Sequence, residues 1–461
     1  MAGIGFVLRK LTRQDDLLGI LKGFGHSAIA SNGPWFFTVF ALAALSMLTY
    51  RMGNISALAD FRLIIVYNFS FSFVMSGPFL MVATRVLADA IFVGDVREAP
   101  SMLVGSFLVM MATQLPVAIT LYLVVADLTP IVTILAIVNF LAISSLWLVS
   151  IFLSALKDYT SITIAFVLGM SMSVIGGLAI AEPGSAAGPL LGFTIGITMT
   201  VTLLVAKILA EYPYPIERPF AFLKKFPPYV VLAASGLVYN AAVWVDKWVM
   251  WSAPEAVAGK SGLVSYPHYD SAMFLAYLTI TPSMAIFMMV VETRFYESYI
   301  NFYRQLQRHA NYDRIIANHH ELVHTLVDGL RNMIVIQATI SLSIILLAPQ
   351  IFEALGIDFL QIGMFRLGVL GSLFQVFVLM LGIVLAYFDF RGPALSVQAV
   401  FLVTNAVFTW ASLHFGFSYY GYGFFLACLV TFVYAYLLTG RYLYDLPYQT
   451  FIKNNRSIRS A

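Results

Sequence analysis

One cysteine, Cys428, stands among 461 residues. That excludes an intrachain disulfide framework and any cysteine-based zinc site. Charge is equally scarce: Asp, Glu, Lys and Arg make up 11% of the chain, against about 25% in an ordinary soluble domain. No G-x-x-x-x-G-K-[ST] stretch occurs, so the chain has no phosphate-binding loop with which to hydrolyse ATP, and no cofactor is expected. The first 22 residues hold no long apolar core ahead of a small-residue cleavage site, so no cleavable signal peptide is expected. A net charge of +3 gives no reason to expect a nucleic-acid partner.

What is abundant is apolar. Hydrophobic residues reach 60% and the mean hydropathy is +0.87. Such a chain cannot cover its surface with polar groups, and the expectation is an all-α polytopic membrane protein. Twelve stretches are long enough to cross a bilayer, which takes about 20 residues. The first six lie near 29–50, 62–84, 102–125, 130–155, 159–181 and 187–209. The second six lie near 229–252, 271–291, 333–354, 365–388, 393–414 and 419–440.

Two polar stretches interrupt the spans and suggest the organisation. The stretch 211–228, "EYPYPIERPFAFLKKFPP", reads as a cytosolic linker between an N-lobe of six helices (23–210) and a C-lobe of six (229–441). The stretch 292–331 reads as a cytosolic helical insert within the C-lobe, and 442–461 as a cytosolic tail. In residues 1–22, Ile4, Val7, Leu8, Leu11, Leu18 and Leu21 recur at helical spacing with Arg9, Lys10, Arg13, Asp15 and Asp16 between them. That is an amphipathic helix, which could lie on the membrane surface or pack on the protein's own cytosolic loops.

Lys and Arg in the loops set the direction. With the N-terminus inside, 21 of the 26 basic residues fall in inside segments, four fall outside (Arg51, Arg62, Lys260, Arg366) and Lys247 falls within a span. Both termini are therefore expected in the cytosol. The halves look like weak repeats. Their second spans carry Pro78 and Pro282, and both end in Thr-Arg, at Thr84-Arg85 and Thr293-Arg294. Repeated halves with interrupted helices are frequent in transporters.

Two motifs compete for function. "NHHELVHTL" contains His320-Glu321-Leu322-Val323-His324, an H-E-x-x-H whose imidazoles share one helix face, as in zinc metalloproteases. The usual downstream third ligand is missing: the next Glu is Glu353, beyond a span, and no His follows before His414, which leaves Asp328 one turn on, or His309 and His319 upstream, as the alternatives. The expectation is a solvated helix without metal. A glycosyltransferase finds no carboxylate pair in an outer loop to support it. The second motif is "YNAAVWVDKWVMW", 239–251, where Asp246 and Lys247 interrupt an apolar run. A charge in hydrocarbon costs at least ~2.5 kcal/mol and commonly faces a cavity. Trp244, Lys247, Trp248 and Trp251 share one helix face, a pattern that could stack on sugar rings. The alternative is an interfacial belt of Trp with a snorkelling Lys, since Asp246 is ~27 Å along the helix from Pro228. Asn68, Asn240, Arg85 and Arg294 complete the candidate transport path.

The amphipathic start, "YNFSFSFVMSGPFLMVATRVLAD" (67–89) and "VETRFYESYINFYR" (291–304) resemble the PelG family within the multidrug/oligosaccharidyl-lipid/polysaccharide exporter superfamily. The resemblance runs over essentially the whole chain. It implies export of a galactosamine-rich exopolysaccharide of the biofilm matrix across the bacterial inner membrane, without catalysis. It also implies partners: a cytosolic glycosyltransferase, a cyclic-di-GMP receptor and a helical-repeat membrane protein. The alternative on the same fold is a cation-coupled drug, small-molecule or lipid-linked oligosaccharide transporter, with Asp246 as the best candidate for the cation-binding acid.

Overall fold

The computed structural model describes residues 37–47, 55–156, 159–180, 185–290, 295–308 and 310–449. The amphipathic start and most of the C-terminal tail fall outside them. Eleven helices among the described residues are long and apolar enough to cross a membrane. A shorter one, α1 (Phe37–Met47), lies within the first of the twelve expected spans, and the rest of that span falls outside the described residues. By contacts the chain forms two compact units that divide at Pro267/His268.

The first unit continues with α2 (Ile55–Val93), α3 (Ala99–Ile119), α4 (Pro130–Leu156), α5 (Tyr159–Ala179), α6 (Ala187–Glu211) and α7 (Val230–Met250). A six-residue π-turn, Thr120–Val125, extends α3 just past Pro116, which has no N–H to continue the regular ladder. Phe61, Phe140, Phe152 and Phe193 are fully buried at the centre of this unit. Small residues decide how closely its helices approach. A Cβ on Gly192 would strike the backbone of Gly177, and one on Gly196 would strike Ser173 Oγ and Gly169 O. The rows Gly169-Ser173-Gly177 and Gly192-Gly196-Thr200, each at i, i+4, i+8, let α5 and α6 touch along their backbones.

The seventh apolar stretch, expected to open the second lobe after the linker at 211–228, packs within this first unit instead. The reason is another pair of glycines. A Cβ on Gly77 of α2 or on Gly236 of α7 would collide with the other's backbone carbonyl. A short antiparallel ribbon, Val257–Ala258 with Val264–Ser265, follows α7 and is pinned to α2: Tyr67 OH donates to Val264 O (2.8 Å) and accepts from Val264 N–H (3.1 Å).

The second unit holds α8 (Pro267–Leu278), α9 (Thr281–Val290), α10 (Tyr296–Gln307), α11 (Tyr312–Leu355), α12 (Ile362–Tyr387), α13 (Arg391–Phe415) and α14 (Tyr422–Tyr444). The expected span 271–291 is two helices, α8 and α9, because Pro282 cannot donate to the carbonyl four residues back. Gln337 Nε2 donates to Thr279 O (3.1 Å) at the break and satisfies a backbone carbonyl there. Pro78, the counterpart in the first half, sits inside the unbroken α2.

The expected insert is α10 plus the first turns of α11. α11 starts at Asn311, whose side chain accepts from Arg314 N–H (3.3 Å), and stops at left-handed Gly356 (φ 62°). Its 44 residues span ~66 Å at 1.5 Å per residue, twice the ~30 Å of a hydrocarbon core. The half carrying Arg314, Glu321, Asp328 and Arg331 must therefore project beyond the bilayer. Phe302, Ile315, Leu322 and Leu326 of this projection share a buried core with Leu443 and Leu446 at the end of α14.

Candidate transport seam

α7 and α2 run antiparallel, and contacts mark the seam at each turn. Trp251 stacks on Tyr67 (centroids 4.6 Å, 16° between planes) and Trp248 on Phe71 (5.2 Å, 13°). Trp248 Nε1–H donates to Ser70 Oγ (2.8 Å), and Asn240 Nδ2 donates to Phe73 O (2.7 Å). Asp246 and Lys247 lie beside these rings. Lys247 Nζ is 3.0 Å from Asp246 Oδ2 and 3.1 Å from Oδ1, and also donates to Val243 O at 3.2 Å. It lies 5.8 Å from the centroid of Trp244. The Asp246 side chain is 0% exposed and that of Lys247 9%. The lysine is thus buried and paired with Asp246 inside the unit rather than reaching outward. Trp244 and Trp248 are half-buried.

Asn68 is fully buried and belongs to a second constellation. Its amide donates to Asn139 Oδ1 (2.8 Å) and Ala136 O (3.2 Å), and its carbonyl accepts from Tyr122 OH (2.6 Å). Asn139 in turn donates to Thr194 Oγ1 (3.0 Å). Four helical segments meet in this string. The sequence pointed to Asn68 as a candidate path residue, but nothing in the spacing marked Tyr122 or Thr194.

Arg85 pairs with Asp89 one turn on (3.2 Å), and Asp89 also accepts from Tyr229 OH (2.8 Å). This polar patch lies beside a cleft of about 590 Å³ lined by Asp89, Asp95, Glu98, Arg218, Lys224 and Lys225 among others. Arg294 lies outside the described residues. Of the eight candidate path residues, the structure thus places Asp246, Lys247, Trp244, Trp248 and Asn240 on α7, where Asn240 and Trp248 contact α2. Asn68 lies within α2 and Arg85 near its far end.

The H-E-x-x-H is helical, as expected, but splits by burial. His320, Glu321 and His324 are exposed, whereas the preceding His319 is buried, its Nε2 2.8 Å from Leu443 O. His324 Nδ1 engages Asp328 Oδ2 at 2.8 Å. Among the described residues no three His, Cys, Asp or Glu are grouped to hold a metal. Burial holds His319 below its ordinary value of 6.5, opposed by its bond to Leu443 O and assisted by neighbouring His320.

Buried amides recur in both units. Gln114 of α3 donates to Ser76 Oγ (2.8 Å) and accepts from Ser144 Oγ. Gln337 of α11 accepts from Ser283 Oγ and donates to Ser341 Oγ (3.3 Å).

Comparisons with known proteins agree with this architecture. The model of the PelG family, "Putative exopolysaccharide Exporter (EPS-E)", matches residues 1–451. Among solved structures, the Vibrio cholerae MATE transporter VcmN in the bent form superposes with a TM-score of 0.62 at 12% identity, over 92% of this chain and 98% of that one. An outward-facing multidrug resistance MATE family transporter of the MOP superfamily gives 0.60 at 16% identity, over 91% and 96%. These likenesses establish the fold. No curated protein matches the chain.

Proposed function

This chain belongs to the PelG family of exopolysaccharide exporters, and we propose that it moves a nascent, galactosamine-rich polymer across the bacterial inner membrane without itself catalysing a reaction. The observation that carries the reading is the family match over residues 1–451, on a transporter fold. The substrate's sugar follows from the family alone.

The α7 seam is our candidate for the wall that the polymer meets. Its support is chemical: indoles, an amide and a carboxylate–ammonium pair along one helix suit sugar rings and hydroxyls. In this state the Trp248 and Trp251 rings are stacked on Phe71 and Tyr67, so the seam is closed and transport requires it to part. Arg85 and Arg294 would lie at its cytosolic end. In this proposal both termini are cytosolic, as the 21 inside basic residues favour. The insert and the N-terminal segment would receive the glycosyltransferase, the cyclic-di-GMP receptor and the helical-repeat membrane protein.

The cation-coupled alternative needs an acid free to take up H⁺ or Na⁺. Asp246 is held by Lys247 at 3.0 Å, which disfavours it in that role.

The test is secreted polymer from cells carrying Lys247→Ala or Glu321→Gln at matched membrane levels. Loss in the first with normal secretion in the second is expected. Normal secretion from Lys247→Ala would remove the seam from the path. Drug resistance conferred without polymer secretion would replace the polysaccharide reading.

A further inference from the structure

A groove of about 1250 Å³ opens on the second unit, between the projecting half of α11 and the end of α14. Ile316, Val323, Val327 and Leu330 form one wall, and Tyr436 and Tyr444 stand on the other. Val327 is 54% exposed and Tyr444 82%, so large apolar surface faces outward on a projection beyond the bilayer. Burying such surface is favourable at about 25 cal/mol per Å², and a contiguous exposed apolar groove commonly marks a docking site. Among the described lining residues Asp445 is the only Asp, Glu, Lys or Arg.

We propose that this groove is the seat of residues 4–21 of the same chain, docked as an amphipathic helix with the apolar stripe inward. Three observations favour this occupant. The stripe Ile4, Val7, Leu8, Leu11 has the i, i+3, i+4, i+7 anchors of a helix laid in a groove, and Leu18 and Leu21 continue it. The lengths agree: residues 4–21 as a helix extend ~26 Å, and the α11 wall from Ile315 to Leu330 runs ~23 Å. The charges agree as well, since Arg9, Lys10, Arg13 and Lys22 outnumber Asp15 and Asp16 and would meet a groove whose one fixed charge is Asp445. The other terminus is a poor candidate. Within residues 450–461 the large apolar side chains are Phe451, Ile452 and Ile458, with Asn454 and Asn455 at the i+3 and i+4 positions where a stripe would need anchors. The inference is independent of which substrate is exported.

The test is cysteine cross-linking of the full chain in native membranes, in a Cys428→Ala background. Leu11→Cys pairs with Val323→Cys, each near the middle of its stretch (4–21 and 315–330), so the pair suits either direction of docking. Leu11→Cys with Val327→Cys, one turn along the wall, gives a second pair should the first fail to accumulate. A bifunctional maleimide is expected to produce a monomer-sized species whose linked peptide joins positions 11 and 323. Leu8→Asp, which breaks the stripe, should abolish that link. Three results would overturn the proposal. The first is no link although both cysteines react with a monofunctional maleimide, which would leave the groove to another occupant. The second is a link only between two copies of the chain. The third is a link that survives Leu8→Asp.

Discussion

Replacing Lys247 by Met keeps most of its volume and removes its charge, taking the ammonium away from the fully buried Asp246 carboxylate. At the observed 3.0 Å, and with an effective dielectric of about 20, the pair's mutual attraction is about 5.5 kcal/mol. Much of that offsets the cost of taking two ions out of water, which is several kcal/mol each. The single variant keeps one of those costs and loses the attraction, so the expected destabilisation is ~3–5 kcal/mol. For a body the size of the first unit, at ~2–4 °C per kcal/mol, that is a fall of roughly 6–20 °C in melting temperature. Asp246→Asn should behave similarly, because it takes the carboxylate away from the buried ammonium. The double variant, Asp246→Asn with Lys247→Met, removes both ions together and should recover most of the loss. The assay is thermal unfolding of detergent-solubilised protein, followed by size-exclusion recovery, for the four members of the cycle. Additive losses, with the double as unstable as the two singles combined, would refute the pair as a mutually compensating unit. The double also separates two roles. Recovered stability with secretion still absent would place the charges in transport, whereas recovery of both would make the pair structural.

Four further outcomes follow from particular contacts. Gly236→Ala puts a methyl against the Gly77 carbonyl and should cost ~1–3 kcal/mol by overpacking, whereas Gly440→Ala, with nothing near its added Cβ, should stay within ~0.5 kcal/mol of the parent; the same thermal assay compares them. Gln337→Leu strands Thr279 O and the Ser283 hydroxyl at the break between α8 and α9, for a loss of ~1–3 kcal/mol per stranded group. His319 has its folded value depressed by burial, so the unfolded chain binds more protons just below the ordinary value of 6.5. Its contribution to stability is therefore complete above that value and declines as pH falls through it. Limited proteolysis of the insert should speed up from pH 7.5 to 5.5, and His319→Gln should flatten that dependence. Purified protein should contain no stoichiometric zinc by elemental analysis, because exposed His320 and His324 find no third ligand among the described residues.

The spans were legible because hydrocarbon imposes a length and a composition that few other environments tolerate. That is why their positions follow from the apolar runs of a single sequence. The amphipathic insert was legible for the same reason, since its apolar positions alternate with charge at helical spacing. What hydropathy does not carry is partnership. The grouping of α7 with α2 depends on Gly77 and Gly236, which a hydropathy reading treats as neutral spacers. The four-residue spacing Gly169-Ser173-Gly177 and Gly192-Gly196-Thr200 was available as a signal and points to close helix contact. The charged pair was visible as Asp246-Lys247, but its setting was not. Neither an open cavity nor an interfacial belt describes it, because neighbouring side chains rather than position along the helix decide what a buried charge meets. In the H-E-x-x-H stretch, α11 turns Leu322 inward and leaves the two motif histidines outside, so the residue that becomes structural is His319, one position before the motif.

The repeat between halves is firmer in the structure than in the paired Thr-Arg and Pro of the sequence. In each half a glutamine from the span after the proline-bearing one reaches a serine close to the proline: Gln114 to Ser76 near Pro78, and Gln337 to Ser283 beside Pro282. A further amide contact lies near each proline without being equivalent between the halves: Asn240 of α7 donates to Phe73 O, five residues before Pro78, and Gln337 of α11 to Thr279 O, three before Pro282. A proline in a membrane helix frees backbone groups that lipid cannot satisfy, so a neighbouring helix must supply the partner. That requirement accounts for a polar residue at matching places even where the surrounding sequence has diverged. The outcomes still differ. α2 runs unbroken past Pro78 with Asn240 against it, while the chain at Pro282 ends one helix and starts another. The first unit therefore presents a continuous rod at this level and the second an interrupted one, with two backbone segments that can shift relative to each other at the cost of a few side-chain hydrogen bonds. A carrier built of two equivalent rods would have to bend both. Here the interruption at Thr279-Ile280 concentrates that freedom in one half, next to the long helix that projects from the membrane.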